Sequence, residues 1–141
     1  MNWFTRANIT LFGRPLPPPA TISPDAIPAG VVLREGRLIP WIGGVLGRMG
    51  GPAAAVTLRR TIVVSPGAPL TTRLLAHELT HVRQWREDPL FPVRYALASL
   101  RHGYHANPYE VEARAVEAAL PAGQLAFAPP PDPVREATPP S

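Results

Sequence analysis

Two imidazoles and a carboxylate stand at fixed intervals in the run His77-Glu78-Leu79-Thr80-His81. On a helix, four residues turn the chain through about 400°, so His77 and His81 project from one face, one turn apart, and can share a single cation. Glu78 is turned about 100° from His77, which sets its carboxylate beside such a cation instead of on it. A carboxylate there is suited to taking a proton from a water that the metal activates. The chain has no cysteine, so disulfides are excluded and zinc, the expected metal, has to take imidazole and carboxylate ligands. Without a metal, two histidines and a glutamate on an otherwise apolar stripe would be costly to bury.

Two histidines do not close a site; a third protein ligand is needed, with the fourth position left for water. The extended motif HExxHxxGxxH is excluded, because Gln84 occupies the glycine position and Glu87 that of the third histidine. Downstream, the available side chains are Glu110, Glu112, His102 and His105. Glu110 and Glu112 lie about 200° apart on a helix and cannot both face one metal. Asn107-Pro108-Tyr109-Glu110 is also the layout of a helix start, with Glu110 where a capping-box carboxylate would sit.

HELTH, followed later by NPYEVEAR, resembles the gluzincin type of zinc metallopeptidase. The resemblance implies Zn2+ held by His77, His81 and the first Glu of a downstream pattern like ExEAD, which is Glu110 here, with Glu112 its rival. It implies a peptide or protein substrate, hydrolysed by a metal-activated water with Glu78 as general base and later proton donor to the leaving amine. A Tyr or His near the third ligand would steady the tetrahedral intermediate; Tyr104, His105 and Tyr109 are the candidates. By the same likeness, an edge strand in the vicinity of Thr61–Val64 would hold extended substrate. The longer stretch HELTHVRQW with Phe91, Tyr95 and NPYE is similar to small bacterial predicted peptidase domains of unknown function, including those accompanying contractile injection systems. The likeness covers about residues 55–118. One position departs from the pattern: Arg114 replaces the acidic residue that orients a ligating histidine, so a backbone carbonyl, Glu112 or Glu117 has to do so. The alternative reading is a non-catalytic, zinc-stabilised interaction module in a larger assembly, which would not need Glu78.

These side chains need a helix and a platform. Leu74, His77, Glu78, His81, Val82 and Trp85 recur at helical spacing and predict a helix over about 72–86. Asp88 with Pro89 suits a second helix start, ending at Gly103, and Asn107 with Pro108 a third, running to about Leu120 before Pro121. Upstream, residues 54–58 and 61–64 carry β-branched side chains and read as short strands. Val31–Leu33 and Arg37–Trp41, flanking Glu35-Gly36, suggest a hairpin, and residues 43–52, rich in glycine, a loop. The expected fold is α+β: a small zincin-like domain with a short sheet, the HExxH helix and two further helices.

The 20 prolines, about three times the usual frequency, gather near both ends. The chain therefore divides into a proline-rich N-terminal arm (1–30), the zincin-like domain (31–120) and a disordered proline-rich tail (121–141). The arm is apolar enough to cover the cleft and hold an enzyme latent, and either arm could dock on a protein partner. All 14 cationic residues are arginine and the net charge is +4, but they are scattered, with only Arg59 and Arg60 adjacent, so nucleic acid is not an expected partner. No run approaches the roughly 18 apolar residues that span a bilayer, so no stable membrane insertion is expected. With no signal peptide recognised, a cytoplasmic location is the expectation.

Overall fold

The computed structural model describes residues 3–120; the expected tail, 121–141, lies outside them. Among the described residues a four-stranded mixed sheet and five α-helices make an α+β fold. In chain order these are α1 (Trp3–Phe12), β1 (Arg14–Pro15), β2 (Val32–Glu35), α2 (Leu38–Leu46), β3 (Ala55–Leu58), β4 (Thr61–Val64), α3 (Thr72–Glu87), α4 (Phe91–Ala106) and α5 (Pro108–Ala119).

The sheet order is β1-β2-β4-β3. β4 runs parallel to β2 and antiparallel to β3, and β1 is antiparallel to β2. Flanked on both sides, β4 is the strand buried on both faces, and its unbroken Ile62-Val63-Val64 is what such a strand requires. One face carries Leu33, Ala55, Ile62 and Val64, packed with Ile22, Leu70, Leu75 and Leu79 into a single core cluster. Leu75 and Leu79 are α3's contribution, so the helix bearing HELTH is clamped to this face of the sheet.

Several sequence expectations change. Residues 3–30, read from sequence as a proline-rich arm, hold α1, the edge strand β1 and a 3-10 turn at Pro24–Ala26, and Ile22 lies in the domain's core. The proline run starts only at Pro15, after the helix, and β1 takes Pro15 because an edge strand tolerates a missing donor. The expected hairpin is absent as well. β2 pairs in parallel with β4, and the second half of that expected hairpin is the start of α2. Its glycines, expected in a loop, let the helix sit close to the sheet. A Cβ on Gly44 would lie 1.9 Å from the Gly51 carbonyl oxygen and one on Gly43 2.5 Å from Val56 Cγ2. Finally, Thr61–Val64 is central; the sheet edge beside α3 is β3.

The three later helices lie near their expected places. Thr71 caps α3 by accepting from the Leu74 amide. Asp88 organises the entry to α4 by accepting from the Leu90 amide, so the helix begins at Phe91, slightly later than expected. Gly103, expected to end the helix, adopts φ 76° and breaks it, after which one more turn runs to Ala106. Such a φ is open to glycine at little cost. Asn107 then caps α5, accepting from the Tyr109 amide, while its own amide group donates to the Tyr95 carbonyl and Ser99 Oγ of α4. Fully buried, Asn107 fixes the start of α5 against α4.

Candidate metal centre

α3 presents His77 and His81 one turn apart, with ring centroids 5.0 Å apart and nearly perpendicular planes. The first turn of α5 brings Glu110 opposite them. His77 Nε2 lies 3.1 Å from Glu110 Oε2, and His81 Nε2 lies 3.2 Å from Glu110 Oε1. One ligand atom from each of the three residues falls within 4.8 Å of the others, and all three residues are buried. Glu112 is directed elsewhere, to Arg83 and Gln84, as the separation of about 200° on a helix requires. His102 and His105 are exposed on α4 and are not in the cluster.

Hydrogen bonds around the cluster fix what its atoms can be. Gln84, 5 % exposed, donates through its amide nitrogen to the Tyr109 carbonyl (3.2 Å) and to Glu112 Oε2 (2.7 Å). Both partners can only accept, so the Gln84 oxygen is the atom facing His81 Nδ1 at 2.8 Å, and Nδ1 carries the proton. His77 Nδ1 faces Glu117 Oε2 at 3.3 Å, another acceptor, and is protonated for the same reason. Each imidazole therefore directs Nε2, an acceptor in the neutral ring, at a carboxylate oxygen. That arrangement needs positive charge between the atoms: protons, or one metal ion. An imidazole–imidazole–carboxylate set, with each imidazole's other nitrogen held by an oxygen, could hold a metal ion.

The proton affinities follow. Burial works against charging His77 and His81, but the hydrogen bonds to Glu110 and the charge of Glu78 outweigh it and raise both above the ordinary imidazole range. Burial also opposes ionisation of Glu110, yet hydrogen bonds from both histidines and from the Tyr95 hydroxyl (2.6 Å) hold its carboxyl far below the usual range. The cluster favours an ionised Glu110 facing cationic charge.

Glu78 is 4 % exposed and is not one of the three. Thr57 of β3 donates to its Oε2 at 2.7 Å, so the edge strand aims the carboxylate. Burial raises the Glu78 pKa, against the opposing pull of the His81 charge, the Thr57 hydroxyl and the His77 charge. Beside the cluster stands an aromatic wall of Trp85, Phe91, Tyr95 and Tyr109, with neighbouring ring centroids 5.1–6.2 Å apart. Of the three candidate stabilisers, Tyr109 belongs to this wall and His105 is exposed. Tyr104, just past the Gly103 break, is half-buried, and burial together with the nearby Glu110 carboxylate pushes its phenol up.

Residues 49–89 match the family model of the eCIS core domain. The match links the chain to contractile injection systems and spans β3, β4 and α3, hence His77, Glu78 and His81, but stops short of Glu110. No curated protein and no solved structure matches the chain.

Three contributors escaped sequence reasoning. Gln84 breaks the longer motif, but three residues past His81 is also where a helical side chain can reach its Nδ1. Tyr95 lies 15 residues from Glu110, too far in sequence for spacing to pair them. Thr57 gave no signal, since its partner lies 21 residues away in sequence. The orienting group for His77 is Glu117, one of those expected, whereas Arg114 turns away to the His105 carbonyl.

Proposed function

We propose that the protein is a zinc-dependent metallopeptidase in which His77, His81 and Glu110 hold the metal and Glu78 is the general base. Zinc is preferred because two imidazoles and one carboxylate, with thiolates absent, are a ligand set that catalytic zinc uses with one position open. When bound, the ion would supply a Lewis acid that polarises a peptide carbonyl and acidifies water.

The observation that carries the reading is Glu78: a buried carboxylate beside the cluster but outside it, aimed by Thr57 Oγ1. A purely structural metal site has no use for a buried, non-ligating carboxylate, whose burial costs free energy. In the proposed reaction Glu78 accepts a proton from the attacking water and returns it to the leaving amine. Burial raises its pKa, which favours return of the proton once taken. Tyr95 holds Glu110 in place, Gln84 and Glu117 hold the imidazoles, and half-buried Tyr104, near Glu110, is the phenol we assign to a developing oxyanion.

A second reading, a metal-stabilised interaction module within an injection-system assembly, has the family match in its favour, because the matched segment speaks for an assembly and not for hydrolysis. Metal analysis of the purified protein, of Glu78→Gln and of Glu110→Ala, with casein or a peptide library as substrate, separates the two. The peptidase reading expects about one zinc per chain, cleavage abolished by Glu78→Gln with metal retained, and metal lost in Glu110→Ala. Metal in the wild type without cleavage of any substrate would favour the module. Failure to bind metal would remove both.

A further inference from the structure

α2 inverts the usual arrangement of a surface helix. Its nine residues, LIPWIGGVL, include no charged side chain, and the two that it buries are Pro40 and Gly44. Leu38, Trp41, Ile42, Val45 and Leu46 are all exposed, Trp41 at 57 % and Leu46 at 76 %, and Met49 continues the row. Spacings of three, four, seven and eight place them on one face. Turning the helix over cannot hide them, because Gly44 must meet the Gly51 carbonyl where no Cβ fits. α1 packs beside α2 and adds exposed Ile9, Leu11 and Phe12. A continuous apolar surface of this kind on a folded protein has a use.

The charges around it give its occupant. Residues 1–24 and 36–77 contain no acidic side chain. Arg37 and Arg48, at the two ends of α2, are exposed, as are Arg59, Arg60 and Arg73, and none of these five makes an ion pair among the described residues. α4 also exposes Val93, Leu97 and Leu100, but it follows Glu87 and Asp88, and its Arg94 is bridged to Asp88 at 3.2 Å. A protein interface is normally fixed by about one hydrogen bond per 100–200 Å². Between Arg37 and Arg48 the α2 face offers only the Trp41 indole N–H. Apolar side chains and an indole, rimmed by free guanidinium groups, match a fluid apolar phase under a layer of phosphates.

We propose that the α1–α2 face rests on an anionic lipid surface, with the α2 side chains at the headgroup–acyl boundary and Arg37 and Arg48 among the phosphates. The contact is peripheral and needs no spanning segment; among the described residues no helix is long and apolar enough to cross a membrane. It is independent of the metal-site chemistry.

Flotation of the full chain with phosphatidylcholine vesicles, with and without a phosphatidylserine fraction, tests it. Binding should require phosphatidylserine, weaken with salt, fall about fivefold for each of Arg37→Gln and Arg48→Gln, and fall again in Leu46→Gln. These exposed substitutions should leave the circular dichroism melt unchanged. The proposal is overturned by absence of phosphatidylserine-dependent binding, or by binding that survives all three substitutions. It is equally overturned if light scattering shows a dimer that Leu46→Gln dissociates, because the face would then be covered by a second copy.

Discussion

Replacing Gln84 by Met tests whether a neutral amide governs the metal affinity of His81. Methionine keeps the length and most of the volume of the side chain but neither accepts from His81 Nδ1 nor donates to Tyr109 and Glu112. Two consequences follow. His81 loses the acceptor that keeps its proton on Nδ1, so the tautomer with Nε2 protonated, which cannot ligate through that atom, becomes populated. The half-buried Tyr109 carbonyl and the exposed Glu112 also lose a donor, while Arg83 still partners Glu112. Leaving one buried polar group unpaired costs about 1–3 kcal/mol, and loss of a ligand's hydrogen-bond partner typically weakens metal binding about 10- to 100-fold. The two figures agree, since tenfold is about 1.4 kcal/mol. Competition with a chromophoric chelator measures the zinc affinity, and the cobalt(II) spectrum reports whether coordination geometry is kept. Glu117→Gln, on the His77 side, serves as comparison; Glu117 is partly exposed and its contact is longer, 3.3 Å against 2.8 Å, so its effect should be the smaller. Zinc affinity in a folded Gln84→Met variant within about twofold of wild type would refute the tautomer argument.

Thr57→Val removes the hydroxyl that lowers the Glu78 pKa; metal content should stay unchanged while the acid limb of the pH–activity profile moves to higher pH, and an unmoved limb would detach Thr57 from the base. Asn107→Ala deletes the α5 cap and the bonds to Tyr95 and Ser99, so a loss of about 2 kcal/mol in chemical denaturation should accompany weaker zinc binding through a misplaced Glu110; stability loss without any change in affinity would count against that coupling. In the metal-free protein His77 and His81 are raised above 6.5 and Glu110 is lowered below 4.5. The imidazole contribution to stability is complete below 6.5 and is lost as pH rises through the raised values, whereas that of Glu110 is present above 4.5 and is lost only in stronger acid. Chelator-treated protein should therefore melt highest between those limits, and zinc-loaded protein should gain stability as pH rises, because the metal competes with the same protons. Scanning calorimetry showing parallel pH profiles with and without zinc would contradict this.

Local chemistry was legible in the chain itself. A helical period across His77, Glu78 and His81 is enough to place two imidazoles on one face and a carboxylate beside them, whatever surrounds the helix. Asn107-Pro108 marks the start of α5 because capping is satisfied within a few residues. Two neighbouring β-branched runs, residues 54–58 and 61–64, suffice for β3 and β4, whose pairing is local.

Long-range contact decided the rest. The parallel pairing of β2 with β4 cannot be inferred from a turn, since α2 and β3 intervene, and a Glu35-Gly36 break looks the same before a helix as within a hairpin. α2 is a helix despite two adjacent glycines because close approach to Gly51 and Val56 rewards residues without a Cβ, a gain that exists only once the sheet is assembled. β1 lies at the opposite sheet edge from β3 and Thr57, so that strand of the expected N-terminal arm is not where it could cover Glu78. Glu110 and Glu112 are equivalent by type and spacing; the angle at which α5 crosses α3 sends one to the imidazoles and the other to Gln84 and Arg83. Spacing within α3 and α5 determined which side chains could share a metal, and the packing between the two helices decided which of them meet.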